Sequence, residues 1–97
     1  MEYVLEVIDE SERKIHLTKK QWGHIRKKHP EVEDLEDLEQ TLKMPLKITD
    51  YSVDESVRYY YKYFKHRPSS DNYLLVLVKY LNGDGYVITA YFTDKIK

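Results

Sequence analysis

The chain has 97 residues, with 16 Lys and Arg against 17 Asp and Glu and no cysteine. That length suits one domain, and the lack of thiols excludes a disulfide scaffold, a thiolate zinc site and a cysteine nucleophile. At 41% apolar and 13% aromatic, the composition supports a core and excludes wholesale disorder.

Residues 2–8 (EYVLEVI) alternate loosely and read as a strand, with Tyr3, Leu5 and Val7 on one face. Asp9 to Glu12 form a polar turn, and Lys14 to Leu17 return as the second arm of a hairpin. Thr18 then reads as a helix N-cap, with Gln21 at the capping-box position. This helix runs through Lys28 and stops near His29, because Pro30 disfavours helical geometry in the residue before it. Val32, Leu35, Leu38 and Leu42 recur at three- and four-residue steps and predict a second helix, with Pro45 just past its end. Leu46 to Thr49 is a short strand and Val57 to Phe64 a longer one. His66 to Asn72 is a loop by composition. Tyr73 to Leu81 and Tyr86 to Thr93 are the strongest strands, joined by a hairpin turn at Asn82 to Gly85. This order predicts a single α+β domain over residues 1–97. Residues 1–17 form an N-terminal hairpin. In the core, 18–97, two helices pack on one face of an antiparallel sheet of about four strands.

Charge is segregated along the chain. Seven cations and no acid lie between Arg13 and Lys28, and six acids and no base lie in residues 31–39. The formal net charge of −1 is a sum over these blocks, so it does not speak against a polyanion partner. A third cluster, Arg58, Lys62, Lys65, His66 and Arg67, is basic again. Alternation puts Arg58, Tyr60, Lys62 and Phe64 on one face of their strand and Val57, Tyr59, Tyr61 and Tyr63 on the other. The Arg58/Tyr60/Lys62 face could hold a phosphate backbone and stack a base. A charge run is equally what a solvated surface looks like.

Histidine is the side chain best suited to trading protons near neutral pH, which makes His24 and His29 candidate acid–base groups. Helical geometry places His29 near Trp22 and Ile25 and turns His24 toward Lys20, Lys27 and Lys28, so the two rings are not expected to face each other. Their spacing is poor for joint metal binding, and no metal site or cofactor is assigned. His16 and His66 carry less signal. In the last strand Thr89, Tyr91 and Thr93 share a face with Val87 and can donate to phosphate oxygens, while Tyr86, Ile88, Ala90 and Phe92 read as the core face.

QWGHIRKKHPE, the proline after the second helix, YYYK, YLLVLVKY and GYVITAYFTDKIK together resemble the phage Barnase–EndoU–colicin–RelE-like (PBECR) nuclease domains over about Leu17 to Lys97. The resemblance implies a toxin- or effector-type endoribonuclease that acts without a metal on RNA, including tRNA, and leaves a 2′,3′-cyclic phosphate. By position it assigns His24, His29, Lys62, Thr89 and Tyr91 to catalysis. Arg58, Tyr60, Lys27, Lys28 and Arg67 are then the substrate-binding candidates. The alternative is a non-catalytic RNA- or protein-binding module that kept this fold.

RNA is the expected partner. The toxin-like class brings in a protein inhibitor or antitoxin as a further candidate. The acidic helix could also dock the basic helix of a second copy, giving a homo-oligomer. No apolar run reaches the length of about 18 residues that spans a bilayer. The acidic Met1 to Asp9 stretch lacks the basic start of a signal peptide, which points to a cytoplasmic protein.

Overall fold

A computed structural model describes residues 2–51, 53–65, 67 and 70–96. In chain order it contains β1 (Tyr3–Ile8), β2 (Lys14–Thr18), α1 (Lys19–Lys28), α2 (Leu35–Lys43), β3 (Lys47–Asp50), β4 (Val57–Tyr63), β5 (Tyr73–Leu81) and β6 (Asp84–Thr93). Expected His66 lies outside the described residues.

The strands form one six-stranded sheet in the order β1-β2-β6-β5-β4-β3. This corrects the expected antiparallel sheet of about four strands with an appended hairpin. The N-terminal hairpin is part of the sheet, because β2 pairs parallel to the start of β6 through Ile15↔Gly85 and His16↔Tyr86. The sheet is therefore mixed. At the other edge β3 adds to β4.

Gly85 makes the parallel join possible. A Cβ there would sit 2.9 Å from side-chain atoms of both Tyr80 and Val78 and 3.1 Å from Ile15. A bare backbone at Gly85 lets Tyr80 and Val78 of β5 and Ile15 of β2 close in on it together. The hairpin turn expected at Asn82 to Gly85 accordingly shrinks to Asn82 and Gly83. Both have positive φ, 54° and 89°, as a two-residue hairpin loop needs.

Both helices pack on one side of the sheet. Ile25, Leu38 and Leu42 share a core with Ile15, Leu17, Tyr60, Leu74, Val76, Ala90 and Phe92. Leu38 and Leu42 are almost fully buried, and each contributes roughly 1.5–3 kcal/mol of apolar burial. Val32 is equally buried but lies in the connection before α2, where Asp34 caps the helix by accepting from the Glu36 N–H at 3.0 Å. Arg26 holds that connection, donating to the carbonyls of Pro30 at 2.7 Å and Val32 at 2.9 Å. Among the described residues no helix lies on the opposite side of the sheet.

A bulge alters the alternation of β6. Leu77 pairs with Thr89 and Val78 with Val87, which leaves Ile88 as the extra residue. Val87 therefore joins Ala90 and Phe92 on the helix side, while Tyr86 turns to the open side with Thr89 and Tyr91. That reverses the expected faces of Val87 and Tyr86.

Candidate functional site

Helix α1 begins directly after β2, and its first turn is fixed by Thr18, whose Oγ1 accepts from the Gln21 N–H at 3.0 Å. The Gln21 side chain does not close the expected capping box. It donates instead to the carbonyl of Ile88 in the bulge of β6. Beyond Tyr86 that edge of β6 has no β2 partner, and α1 runs alongside it. The helix ends as Pro30 requires, with the His29 N–H donating to the Ile25 carbonyl at 2.7 Å. Its last turn carries Arg26, Lys27 and Lys28, which suit the negative end of the helix dipole.

Between α1 and β6 lies an open cleft of about 470 Å³, lined by Gln21, His24, Ile25, Lys28, His29, Ile88 and Thr89. Both histidines line this cleft, His24 from the body of α1 and His29 from its C-cap. Positions 21, 24, 25 and 28 follow i, i+3, i+4, i+7, so one helix face carries all four. That spacing marks Gln21 for the cleft as well as for its capping position. The half-buried His29 ring packs against Tyr91 rather than the expected Trp22 side alone, with centroids 5.2 Å apart. Its Nδ1 is 3.8 Å from Glu31 Oε2, close enough for attraction when the ring is protonated and too long for a firm hydrogen bond. His24 is exposed. The cleft therefore gathers two imidazoles, the Lys28 cation and the Thr89 hydroxyl, with Tyr91 beside His29.

Other expected site residues lie elsewhere. Lys62 pairs with Leu74, on the helix side of the sheet, and its amine donates to the Met44 carbonyl at 3.2 Å. It is two strands from β6 and on the opposite face from Thr89 and Tyr91. Tyr60 is 1% exposed, and its hydroxyl lies 2.5 Å from that of Tyr80, so it stacks no base. Arg58 is on that same covered side, 3.5 Å from Asp50 and over the Tyr80 ring at 5.6 Å. Arg67 lies over the Phe92 ring at 3.7 Å. The expected Arg58/Tyr60/Lys62 binding face is thus the core-facing side of β4. Lys27 is exposed on α1 outside the cleft lining.

His16 is structural in its setting. It is 6% exposed, stacked on Tyr3 at 4.5 Å and tilted against Tyr86 at 5.2 Å. Its ring nitrogens lie 3.2 Å from Glu6 and 3.0 Å from Asp84. It ties β1, β2 and β6 together.

Among the described residues, no three His, Asp or Glu side chains gather as a metal site, and no helix is long and apolar enough to cross a membrane. Comparison with protein-family models, curated proteins and solved structures finds no match to this chain.

Proposed function

We propose that the protein is an endoribonuclease that works from the α1–β6 cleft without a metal. The observation that carries this reading is the gathering of His24, Lys28, His29 and Thr89 around one opening, with Tyr91 against His29. The resemblance to PBECR nucleases points to the same chemistry. One imidazole takes the proton from a ribose 2′-hydroxyl. The 2′-oxygen attacks the adjacent phosphorus, and the bond from phosphorus to the 5′-oxygen breaks. The second imidazole, protonated, gives its proton to that leaving oxygen. The products are a 2′,3′-cyclic phosphate and a free 5′-hydroxyl. Lys28 faces the charge that builds on the phosphorane, and the Thr89 and Tyr91 hydroxyls can donate to its oxygens. Lys28 takes the role that the resemblance gave to Lys62, whose amine is on the other side of the sheet.

Incubation with bulk tRNA and with unstructured RNA in excess EDTA tests the reading. Cleavage to cyclic-phosphate ends is expected. His24→Ala and His29→Ala should each lower the rate by roughly 10²–10⁴-fold, the range of a lost general acid or base. Intact RNA at high protein concentration overturns the reading and leaves the non-catalytic module.

A further inference from the structure

We infer that the open side of the sheet is a stacking platform for single-stranded RNA, on which Tyr59, Tyr63 and Tyr91 carry bases while Lys47 and Lys28 hold phosphates at its two margins. This rests on the nuclease reading, because the platform runs into the candidate cleft at Tyr91 and His29.

The strand register defines the surface. Across β3, β4, β5 and β6 the rows Thr49–Tyr59–Leu77–Thr89 and Lys47–Tyr61–Leu75–Tyr91 lie on this side, and Tyr63–Tyr73–Thr93 completes a third row. No position in these three rows is acidic. Tyr61 and Leu75 are buried at the centre and give the surface a fixed floor. Tyr63 is 50% exposed and Tyr51 40%, while Tyr59, stacked on Tyr51, and Tyr91, against His29, are half-buried. Tyr63 meets Tyr73 edge-on at 5.4 Å. Burial pushes the Tyr59 hydroxyl up, and the neighbouring phenols of Tyr51, Tyr91 and Tyr61 add to this, so these groups converge.

The charge pattern selects the occupant. Lys47 is exposed on β3 and Lys28 on α1, so a cation flanks the rings on each side. Glu6 and Asp84, beside His16, and Asp54, bound to Lys79 and Ser56, lie toward the other end of the strands, while Glu31 stands at the α1 margin, 3.8 Å from His29. Neutral rings between cations, without an acid among them, suit a polyanion with exposed flat groups. Every base offers a π-face, so such a surface favours single strands over duplex. Four strands span three spacings, about 14 Å, which matches the two or three bases that a sheet of this width stacks.

Binding is measured by fluorescence anisotropy with a labelled oligoribonucleotide whose 2′-hydroxyls are methylated, so that it binds without being cut. Tyr63→Ala and Tyr59→Ala are each expected to weaken binding roughly thirtyfold, at the middle of the range for a lost base–aromatic stack. Tyr59→Phe keeps the ring and should bind as wild type. Lys47→Ala should lower the slope of log affinity against log salt by about one. The same sequence as a duplex should bind more weakly.

Unchanged binding in Tyr63→Ala and Tyr59→Phe together with equal binding in Tyr59→Ala overturns the platform, and would leave the rings to a protein partner. Equal affinity for duplex overturns it too. If the wild type cleaves ordinary RNA while the tyrosine variants bind and cleave normally, the platform falls and the nuclease reading stands. If tyrosine-dependent binding is found without cleavage of ordinary RNA, the nuclease reading falls and the platform stands.

Discussion

Asp9 is 5% exposed and closes the β1–β2 turn on itself. Its Oδ1 accepts from the Ser11 N–H at 2.9 Å, the Ser11 hydroxyl at 2.8 Å and the Arg13 N–H at 2.9 Å, and its Oδ2 accepts from the Tyr80 hydroxyl at 2.7 Å. Burial pushes the carboxyl up, but the hydrogen bonds from Arg13, Tyr80 and Ser11 outweigh it and hold the group below its ordinary 3.8. The Tyr80 hydroxyl is pushed up by burial first and then by its bonds with Tyr60 and Asp9, so it stays a donor. A carboxyl lowered by folding binds its proton more readily in the unfolded chain. Asp9 therefore adds stability above 3.8, and that share is lost as pH falls through its lower folded value. Asp54, held at about 2 by the Ser56 hydroxyl and N–H and then Lys79, acts in the same direction. Asp9→Asn is expected to cost about 1.5–3 kcal/mol near neutral pH, the worth of hydrogen bonds to a charged group. It should also flatten the loss of stability between about pH 5 and about pH 2. Urea denaturation across that range checks both; a variant that keeps the full wild-type acid dependence removes Asp9 from this role.

At the scale of elements, Gly85 decides how the N-terminal hairpin meets the rest. Gly85→Ala places a methyl 2.9 Å from Tyr80 and Val78. Overpacking of this kind costs about 1–3 kcal/mol, read as a lowered melting temperature with β2 and β6 losing amide protection before β4 and β5. Protection lost evenly across the sheet would show that the join is not the weak point. The same glycine explains what the sequence disclosed and what it did not. Thr18, Pro30, the Leu38/Leu42 stripe and the Asn82-Gly83 turn act within a few residues, so the strands and helices could be placed from local pattern. The partner of β2 could not, because Ile15↔Gly85 joins positions seventy residues apart and the glycine reads locally as part of the turn. The bulge at Ile88 was equally silent, and it moved Val87 and Tyr86 to the opposite faces from those alternation gave them. For β4 alternation sorted the residues correctly but not which side was covered, and the burial of Tyr60 settles that. His24 and His29 could be singled out by type, whereas their common cleft depended on α1 lying along the unpaired edge of β6.

Over the whole molecule, the six-stranded sheet separates two basic sets that the sequence runs together as one chemistry. Lys28, with His24 and His29, faces the cleft at the β6 edge. Lys62, with Arg58, lies on the helix side of β4, where its amine serves the carbonyl of Met44 at the end of α2. A phosphate in the cleft would meet the first set; the second lies two strands away, beyond β5 and its buried Val76. Screening adds to this, since an exposed cation beyond about 10 Å acts weakly at physiological salt. Lys28→Ala should therefore slow RNA cleavage by about 10²-fold or more, as a lost transition-state contact does, and leave the melting temperature close to wild type because the side chain is exposed. Lys62→Ala should do the reverse: cleavage within about twofold of wild type, and a small loss of stability of about 0.5–1.5 kcal/mol from the hydrogen bond to Met44. Rates on unstructured RNA with EDTA present, set beside thermal melts of both variants, separate the two faces. If Lys62→Ala is the slow one, the phosphate is bound from the helix side, and neither the cleft nor the tyrosine platform is where RNA is cut.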